Sequence, residues 1–207
     1  MVDVGTGAGH VAHTFAPFMD KVIAVDPTRQ MLDVTLAEAD KRGLQNIEGL
    51  ECFAESLPFE DNSIDGISCR VAAHHFLDVE AFVAEVHRTL KPQGWFLLVD
   101  TISPEDDEAD KQLHQFESLR DPSHKRNYKE SEWKAMISGS GLNISHSETR
   151  DKRLAFQEWM DRMSVDGATQ QILRQMLTES NGSFADYLKP QEDSFCLLEL
   201  TILAVKP

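Results

Sequence analysis

Val2-Asp3-Val4-Gly5-Thr6-Gly7-Ala8-Gly9-His10 is a short, mostly apolar run that leads into three glycines and then into an amphipathic segment. Glycines allow a tight turn after a strand, and their missing side chains let a ligand lie against the main-chain N–H groups at the start of the following helix. The stretch therefore predicts a strand, a turn and a helix that bind a nucleotide-like ligand. Asp3, the acid before the glycines, can receive an ammonium group or orient the loop.

The spacing of the glycines separates two classes of nucleotide site. The dinucleotide fingerprint G-x-G-x-x-G requires Gly or Ala at position 10, where this sequence has His10, and the glycines instead stand at positions 5, 7 and 9. This difference argues against NAD or FAD and makes a NAD-dependent oxidoreductase the least favoured reading.

A second acid follows the next apolar run. Val22-Ile23-Ala24-Val25-Asp26 ends in a carboxylate 17 residues beyond Gly9. A carboxylate at the end of the second strand of an open α/β sheet can accept hydrogen bonds from both ribose hydroxyls. The two features together predict a nucleoside ligand.

Short apolar runs alternate with amphipathic stretches along the chain, which is typical of βαβ units and a mainly parallel sheet. The sequence predicts a doubly wound, Rossmann-like α/β fold of about seven strands, mostly parallel, with an antiparallel strand near the C-terminus and a helical cap insertion. The predicted strands are Met1–Val4, Val22–Val25, Glu51–Ala54, Gly66–Cys69, Trp95–Asp100, Leu142–Ser145 and Phe195–Val205. The helices predicted in the first half are Gly9–Met19, Thr28–Arg42 and Val79–Leu90, and Lys91–Gly94 is predicted to form a turn.

Composition narrows the class of protein. The formal net charge of −15 argues against a nucleic-acid surface, because an acidic chain repels phosphate backbones. No apolar run is long enough for a membrane span. Cys52, Cys69 and Cys196 have no metal-ligand spacing and their odd number does not suit a disulfide framework, so we predict no metal site and a reducing, cytoplasmic location.

Four blocks of sequence, in order, resemble the class I S-adenosylmethionine-dependent methyltransferases, in particular the type-11 group that includes quinone-biosynthesis C-methyltransferases and small-molecule enzymes. The blocks are Asp3–Gly9, Val25-Asp26-Pro27 through Met31-Leu32, Ala54-Glu55-Ser56-Leu57-Pro58-Phe59, and Leu90-Lys91-Pro92-Gln93-Gly94-Trp95. They cover roughly the first hundred residues. The resemblance implies S-adenosylmethionine as cofactor and S-adenosylhomocysteine as product.

The resemblance also implies which residues bind the cofactor. It places the methionine portion near Asp3, Gly5 and Gly7, the ribose on Asp26 and the adenine near Pro27, Met31 and Ala54, with Arg70 at the methionine end. The full cofactor-binding set expected here is Asp3, Gly5, Thr6, Gly7, Asp26, Pro27, Met31, Ala54, Glu55 and Arg70. Phe53 departs from the family pattern, where Asp is common, and this predicts modest cofactor affinity.

The methyl acceptor is expected to be a small molecule, and we leave a homodimer open. A base is needed only if the acceptor arrives protonated, and we place that catalytic role at His75, which follows the fourth strand. His74 is expected to pack or form a local hydrogen bond. Arg120, Asp121 and His124 form either part of the acceptor pocket or a polar turn. The alternative function is a catalytically inactive protein that binds S-adenosylmethionine or S-adenosylhomocysteine and regulates a partner.

The chain is interpreted as one domain over residues 1–207. Within it we expect a cofactor-binding core at 1–103, a helical cap and acceptor region at 104–180 and a terminal strand at 195–206. In the resembled family, helices before the first strand form part of a lid, whereas this numbering opens inside the strand. We therefore expect either a longer native polypeptide or an open site.

Overall fold

A computed structural model describes residues 1–207 and contains one seven-stranded sheet. The strands are β1 (Val2–Val4), β2 (Val22–Asp26), β3 (Ile47–Glu51), β4 (Ile64–Arg70), β5 (Leu90–Thr101), β6 (Asn143–Ala155) and β7 (Ser194–Val205). Their spatial order is β3-β2-β1-β4-β5-β7-β6. The α/β fold predicted from the alternating pattern is confirmed.

Eight α-helices connect or flank the strands. They are α1 (His10–Phe15), α2 (Arg29–Lys41), α3 (Val79–Thr89), α4 (Asp107–Arg120), α5 (Glu130–Gly139), α6 (Phe156–Asp161), α7 (Gly167–Thr178) and α8 (Gly182–Leu188). None of them has both the length and the apolar character that a membrane crossing needs.

The first strand lies between β2 and β4, and the register brings three strand ends together. Val4 is paired with Val25 of β2 and with Cys69 of β4, and all of these pairings are parallel. Parallel strands end at the same edge of the sheet, so the residues that follow β1, β2 and β4 gather there. This edge receives Gly5, Asp26 and Arg70.

The terminal strand runs antiparallel to β5. Gln93 N–H donates to the carbonyl oxygen of Lys206 at 2.9 Å and Lys206 N–H donates to that of Gly94 at 3.0 Å, which is the reciprocal pattern of antiparallel neighbours. Ile102 N–H donates to the carbonyl oxygen of Leu198, which keeps the same direction along the strand. The prediction of an antiparallel strand near the C-terminus is confirmed.

Three local expectations are corrected. The third strand is Ile47–Glu51 and not Glu51–Ala54, because it has a single buried apolar residue, Ile47, and gives no apolar run. Lys91–Gly94, which was predicted as a turn, lies within β5 (Leu90–Thr101). Helix α8 was not expected at all.

The chain divides into two compact units. The first consists of residues 1–100, 134–148 and 201–207. Part of its core is small and aliphatic, because α1, β2, α2 and β3 pack together through alanine, valine, isoleucine and leucine side chains. Its buried members are Ala12, Ala16, Val22, Ala24, Leu32, Ala39 and Ile47.

The second unit consists of residues 101–133 and 149–200. Its core is aromatic, with the ring of Phe116 stacked on Trp159 at 4.9 Å and edge-on to Phe195 at 5.4 Å. Tyr187 is buried here as well, and its hydroxyl donates to the carbonyl oxygen of Ile102. The interpretation of residues 1–207 as one domain stays a prediction.

Candidate functional site

Asp3 is buried at the centre of a hydrogen-bond network beneath the glycine loop. Its carboxylate accepts from the hydroxyls of Thr6 and Ser68, each at 2.7 Å, and from the N–H of Ala12 at 3.2 Å. Burial raises the pKa of the Asp3 carboxyl, while the hydrogen bonds from Ser68 and Thr6 act in the opposite direction. Asp3 therefore orients the loop, which is one of the two roles its position allowed.

Two glycines in the loop are required by geometry. Gly5 has φ +67°, and a Cβ there would stand 2.5 Å from the Cβ of Ala72. Gly9 has φ +81°, and a Cβ there would stand 2.6 Å from a methyl group of Thr35. Any larger residue at either position would both adopt a disfavoured backbone conformation and collide with a neighbour.

Asp26 closes the loop from the neighbouring strand. Its Oδ2 accepts from the N–H of Gly7 at 3.0 Å, and its Oδ1 accepts from the N–H of Thr28 at 2.9 Å. From α2, the hydroxyl of Thr35 donates to the carbonyl oxygen of Gly7 at 2.7 Å. The loop thus has its backbone fixed by side chains from two elements that follow it in sequence.

Apolar side chains lie exposed beyond Asp26. Met31, in the first turn of α2, is 43% exposed, and Phe53, two residues beyond β3, is 61% exposed. Because Glu51 is the register partner of Asp26, the segment after β3 starts beside the end of β2. Pro27 is exposed there and Ala54 is buried.

Glu55 accepts hydrogen bonds from the backbone of the segment before α3. Its Oε1 accepts from the N–H of Leu77 at 2.8 Å and from that of Asp78 at 3.3 Å. Asp78 is the N-cap of α3, with its own side chain accepting from Ala81 N–H. Glu55 therefore holds the chain just before α3.

Arg70 lies beside the glycine loop at the end of β4. It lines a pocket of about 240 Å³ whose lining residues are Asp3, Gly5, Thr6, Gly7, Ala8, His10, Val11, Arg70 and Val71. Val71 has φ +53°, a conformation that is strained for a β-branched residue. Such outliers cluster at functional sites, and this one redirects the chain where β4 ends.

The turn after Val71 carries the two histidines. His74 Nδ1 lies 2.7 Å from Asp100 Oδ1, and the backbone N–H of His74 donates to Asp100 Oδ2 at 3.2 Å. The ring of His75 lies 4.2 Å from that of His74. Asp100, near the end of β5, was not singled out from the sequence, where it is an acid ending an apolar run in the same way as Asp26.

The polar cluster after α4 is part of the second unit. The guanidinium of Arg120 lies 4.6 Å from the ring centre of Trp159, and its Nε donates to the carbonyl oxygen of the same residue. Burial lowers the pKa of Arg120. Asp121 accepts from the N–H and hydroxyl of Ser123, and these are the contacts of a polar turn.

Comparison with known proteins places this arrangement in a family. Residues 2–98 match the profile of a family described as a methyltransferase domain. The chain is 39% identical over 212 aligned residues to the uncharacterized methyltransferase YcgJ of Bacillus subtilis (strain 168), covering 100% of this chain and 84% of the relative. The chain belongs to the S-adenosylmethionine-dependent methyltransferases.

Further matches agree with this assignment. A demethylmenaquinone methyltransferase of Chlorobaculum tepidum is 33% identical over 105 residues, which is 50% of this chain and 41% of that protein. The crystal structure of YcgJ superposes with a TM-score of 0.95 at 36% identity, covering 99% of this chain and 90% of the other. The resemblance recognised in the four sequence blocks is confirmed, and so is the Rossmann-like fold.

Proposed function

We propose that this methyltransferase binds S-adenosylmethionine at the carboxyl edge of β1, β2 and β4 and transfers its methyl group to a small-molecule acceptor. The observation that carries the proposal is the glycine loop held between the carboxylates of Asp3 and Asp26 beside an open pocket. We propose the cofactor-binding set expected from the sequence, with Asp3 and Glu55 acting through the backbone that they hold.

The residues present fit a nucleoside ligand. A carboxylate has about four lone-pair positions, and the two backbone donors on Asp26 leave capacity for two ribose hydroxyls. A Cβ on Gly7 would meet nothing within 4 Å, so the loop is open on that side. The exposed apolar surfaces of Met31 and Phe53 are suited to the faces of an adenine ring.

Methyl transfer from S-adenosylmethionine mainly requires the protein to align the acceptor with the methyl group. The sulfonium of S-adenosylmethionine supplies an already activated methyl group, so the chain has to align the acceptor, hold it in line and exclude water. Arg70 is proposed to line the methionine end. His75 is proposed as the catalytic residue that contacts the acceptor, since it lies in the turn that follows β4.

Binding of S-adenosylhomocysteine to the Asp26→Asn variant tests the cofactor site. Charge-assisted hydrogen bonds contribute roughly 1.5 to 3 kcal/mol each, so calorimetry should show affinity at least about tenfold weaker than that of the parent. Asp33→Asn is the matched control, because Asp33 lies on α2 and its carboxylate forms an exposed ion pair with Arg29 of the same helix. Equal affinity in the parent and the Asp26 variant, or preferential stabilisation by NAD, would contradict the proposal.

Turnover separates an enzyme from the inactive alternative. Release of S-adenosylhomocysteine from S-adenosylmethionine in the presence of phenols, quinols and carboxylates should reveal an acceptor, and His75→Ala should lower turnover while cofactor affinity persists. Cofactor binding without methyl transfer to any compound would favour a regulatory role. The net charge of −15 supports a small-molecule acceptor over nucleic acid, and the three free cysteine thiols support the proposal of a cytoplasmic location.

A further inference from the structure

His74 and Asp100 form a hydrogen-bonded pair whose acid is buried, unlike the ion pairs on the surface. Asp100 is 1% exposed, and both of its oxygens engage His74, one through the ring and one through the backbone N–H. Burying a carboxylate is unfavourable unless it is paired and hydrogen-bonded. The buried carboxylate of Asp100 therefore fixes the orientation of the His74 imidazole.

The contact with the carboxylate decides which ring nitrogen carries the proton. A carboxylate only accepts, so Nδ1 of a neutral His74 bears the hydrogen and Nε2 bears the lone pair. This is the tautomer that a proton acceptor acting through Nε2 requires.

Packing places the turn that carries this imidazole against Gly5 of the glycine loop. Ala72 and Phe76, which bracket the two histidines in sequence, are the neighbours that a Cβ on Gly5 would meet, at 2.5 Å and 3.5 Å. The strained backbone of Val71 starts the turn, and its N–H donates to the carbonyl oxygen of Val99, one residue before Asp100. The turn is thus tied both to the loop proposed to hold the cofactor and to the strand that carries the acid.

We infer that His74, oriented by Asp100, is the general base of this enzyme, and that the acceptor is a compound whose nucleophilic oxygen carries a proton at neutral pH, such as a phenol. The inference rests on the proposed methyl transfer and assigns the base to His74, while His75 keeps its contact with the acceptor. The acceptor's proton passes to Nε2 of His74, its oxygen lone pair forms the new bond to the methyl group, and the electron pair of the broken S–CH₃ bond stays on sulfur, which leaves as a neutral thioether. The proton is then released to water.

Other titratable groups lie near the dyad within the same unit. His75 lies against His74 on the same turn, and Cys69 and Arg70 end β4. Burial raises the pKa of the Cys69 thiol well above its ordinary value, and the negative charges of Asp100 and Asp3 act in the same direction. Cys69 therefore stays a neutral thiol where histidine titrates.

The test compares His74→Asn, His75→Asn and Asp100→Asn with the parent. Asparagine at position 74 keeps a donor close to the place of Nδ1 and removes Nε2, so the fold is retained and the base is lost. With phenol and hydroquinone as probes, His74→Asn should lower the rate of methylation by about 10²- to 10⁴-fold. It should also abolish the loss of activity that we expect in the parent at low pH, where the base is protonated. Asp100→Asn should also lower methylation, because the amide can donate to Nδ1 and move the proton to Nε2.

Two controls make the result specific. His146→Asn removes an exposed histidine that lies 3.7 Å from Glu148, and it should leave the pH profile unchanged. Benzoate has no proton to lose at neutral pH, so the rate of its methylation should be unchanged by His74→Asn. Nitrogen NMR of the parent with S-adenosylhomocysteine should show the Nδ1–H tautomer of His74.

Several outcomes would overturn the inference and leave the methyltransferase assignment intact. One is a loss of methylation at low pH that depends on His75 and not on His74. Another is an Nε2–H tautomer of His74. A third is a protein that binds S-adenosylhomocysteine but does not methylate the phenolic probes. Absence of S-adenosylhomocysteine binding would instead contradict the proposed function itself.

Discussion

The two compact units differ in what determines their structure. The first is fixed around the glycine loop by polar contacts with strict geometry: Asp3 accepts three hydrogen bonds, and Gly5 leaves no space for a Cβ. The second is fixed by stacked and edge-on contacts among Phe116, Trp159 and Phe195, which are large apolar rings. Apolar packing tolerates many residue types, whereas a buried carboxylate network tolerates few.

This difference explains why function can be inferred from one unit more readily than from the other. The family profile covers residues 2–98, all within the first unit, and every predicted cofactor residue lies there too. Aromatic residues at helical spacing predict burial and say little about a ligand. The substitutions below test this contrast, from the largest expected effect to the smallest.

Phe116→Ala should have the largest effect on stability. Removing a fully buried phenylalanine ring leaves a cavity among Trp159, Phe184 and Phe195, and the expected loss is about 3–5 kcal/mol in the free energy of unfolding. Phe18→Ala is the control, because Phe18 is 80% exposed and its loss should cost less than about 0.5 kcal/mol. Urea denaturation measures both. A similar loss for the two variants would show that the aromatic core does not carry the stability of its unit.

Gly5→Ala should disturb the site more than the fold. The backbone strain at φ +67° costs about 1–2 kcal/mol, and the clash with Ala72 displaces the turn that carries the histidines. Gly43→Ala is a matched control, because it has φ +70° and a Cβ there meets nothing within 4 Å. Calorimetry should show weaker S-adenosylhomocysteine binding only for Gly5→Ala. Equal binding by both variants would mean that the loop does not need its close approach to the turn.

Asp3→Asn should change the pH dependence of stability. Because burial raises the pKa of Asp3 in the folded state, the unfolded state ionises first as pH rises, and the folded state loses stability between the unfolded pKa near 4 and the higher folded pKa. Asparagine does not titrate. The free energy of unfolding of the variant, measured against that of the parent, should therefore improve as the pH is raised from about 4 to about 7. A difference that is constant over this range would contradict the effect of burial.

The sequence predicted most of the sheet and its order of elements because buried parallel strands give short apolar runs. It misplaced β3, whose residues are mostly polar, and it missed α8, which is only seven residues long. It located the glycine loop and Asp26, since both follow strand ends. It did not pair Asp100 with His74, because that contact joins residues 26 apart through the register of β4 and β5.

Glu55 shows a second limit of the same kind. Its place in a family block did not predict that its carboxylate accepts hydrogen bonds from the backbone N–H groups of Leu77 and Asp78. A side chain's partner depends on which loop the fold brings opposite it. Local spacing does not contain that information.

The left-handed backbone at Val71 has a consequence for how this protein can be engineered and how it evolves. A β-branched residue in this conformation costs of order 1–3 kcal/mol, so Val71→Gly should raise the free energy of unfolding by removing the steric conflict. The same change would loosen the turn that presents His74 and should lower turnover. Selection for thermal stability alone would therefore tend to erode activity at this position, and a stabilised variant that keeps Val71 is the safer starting point for design.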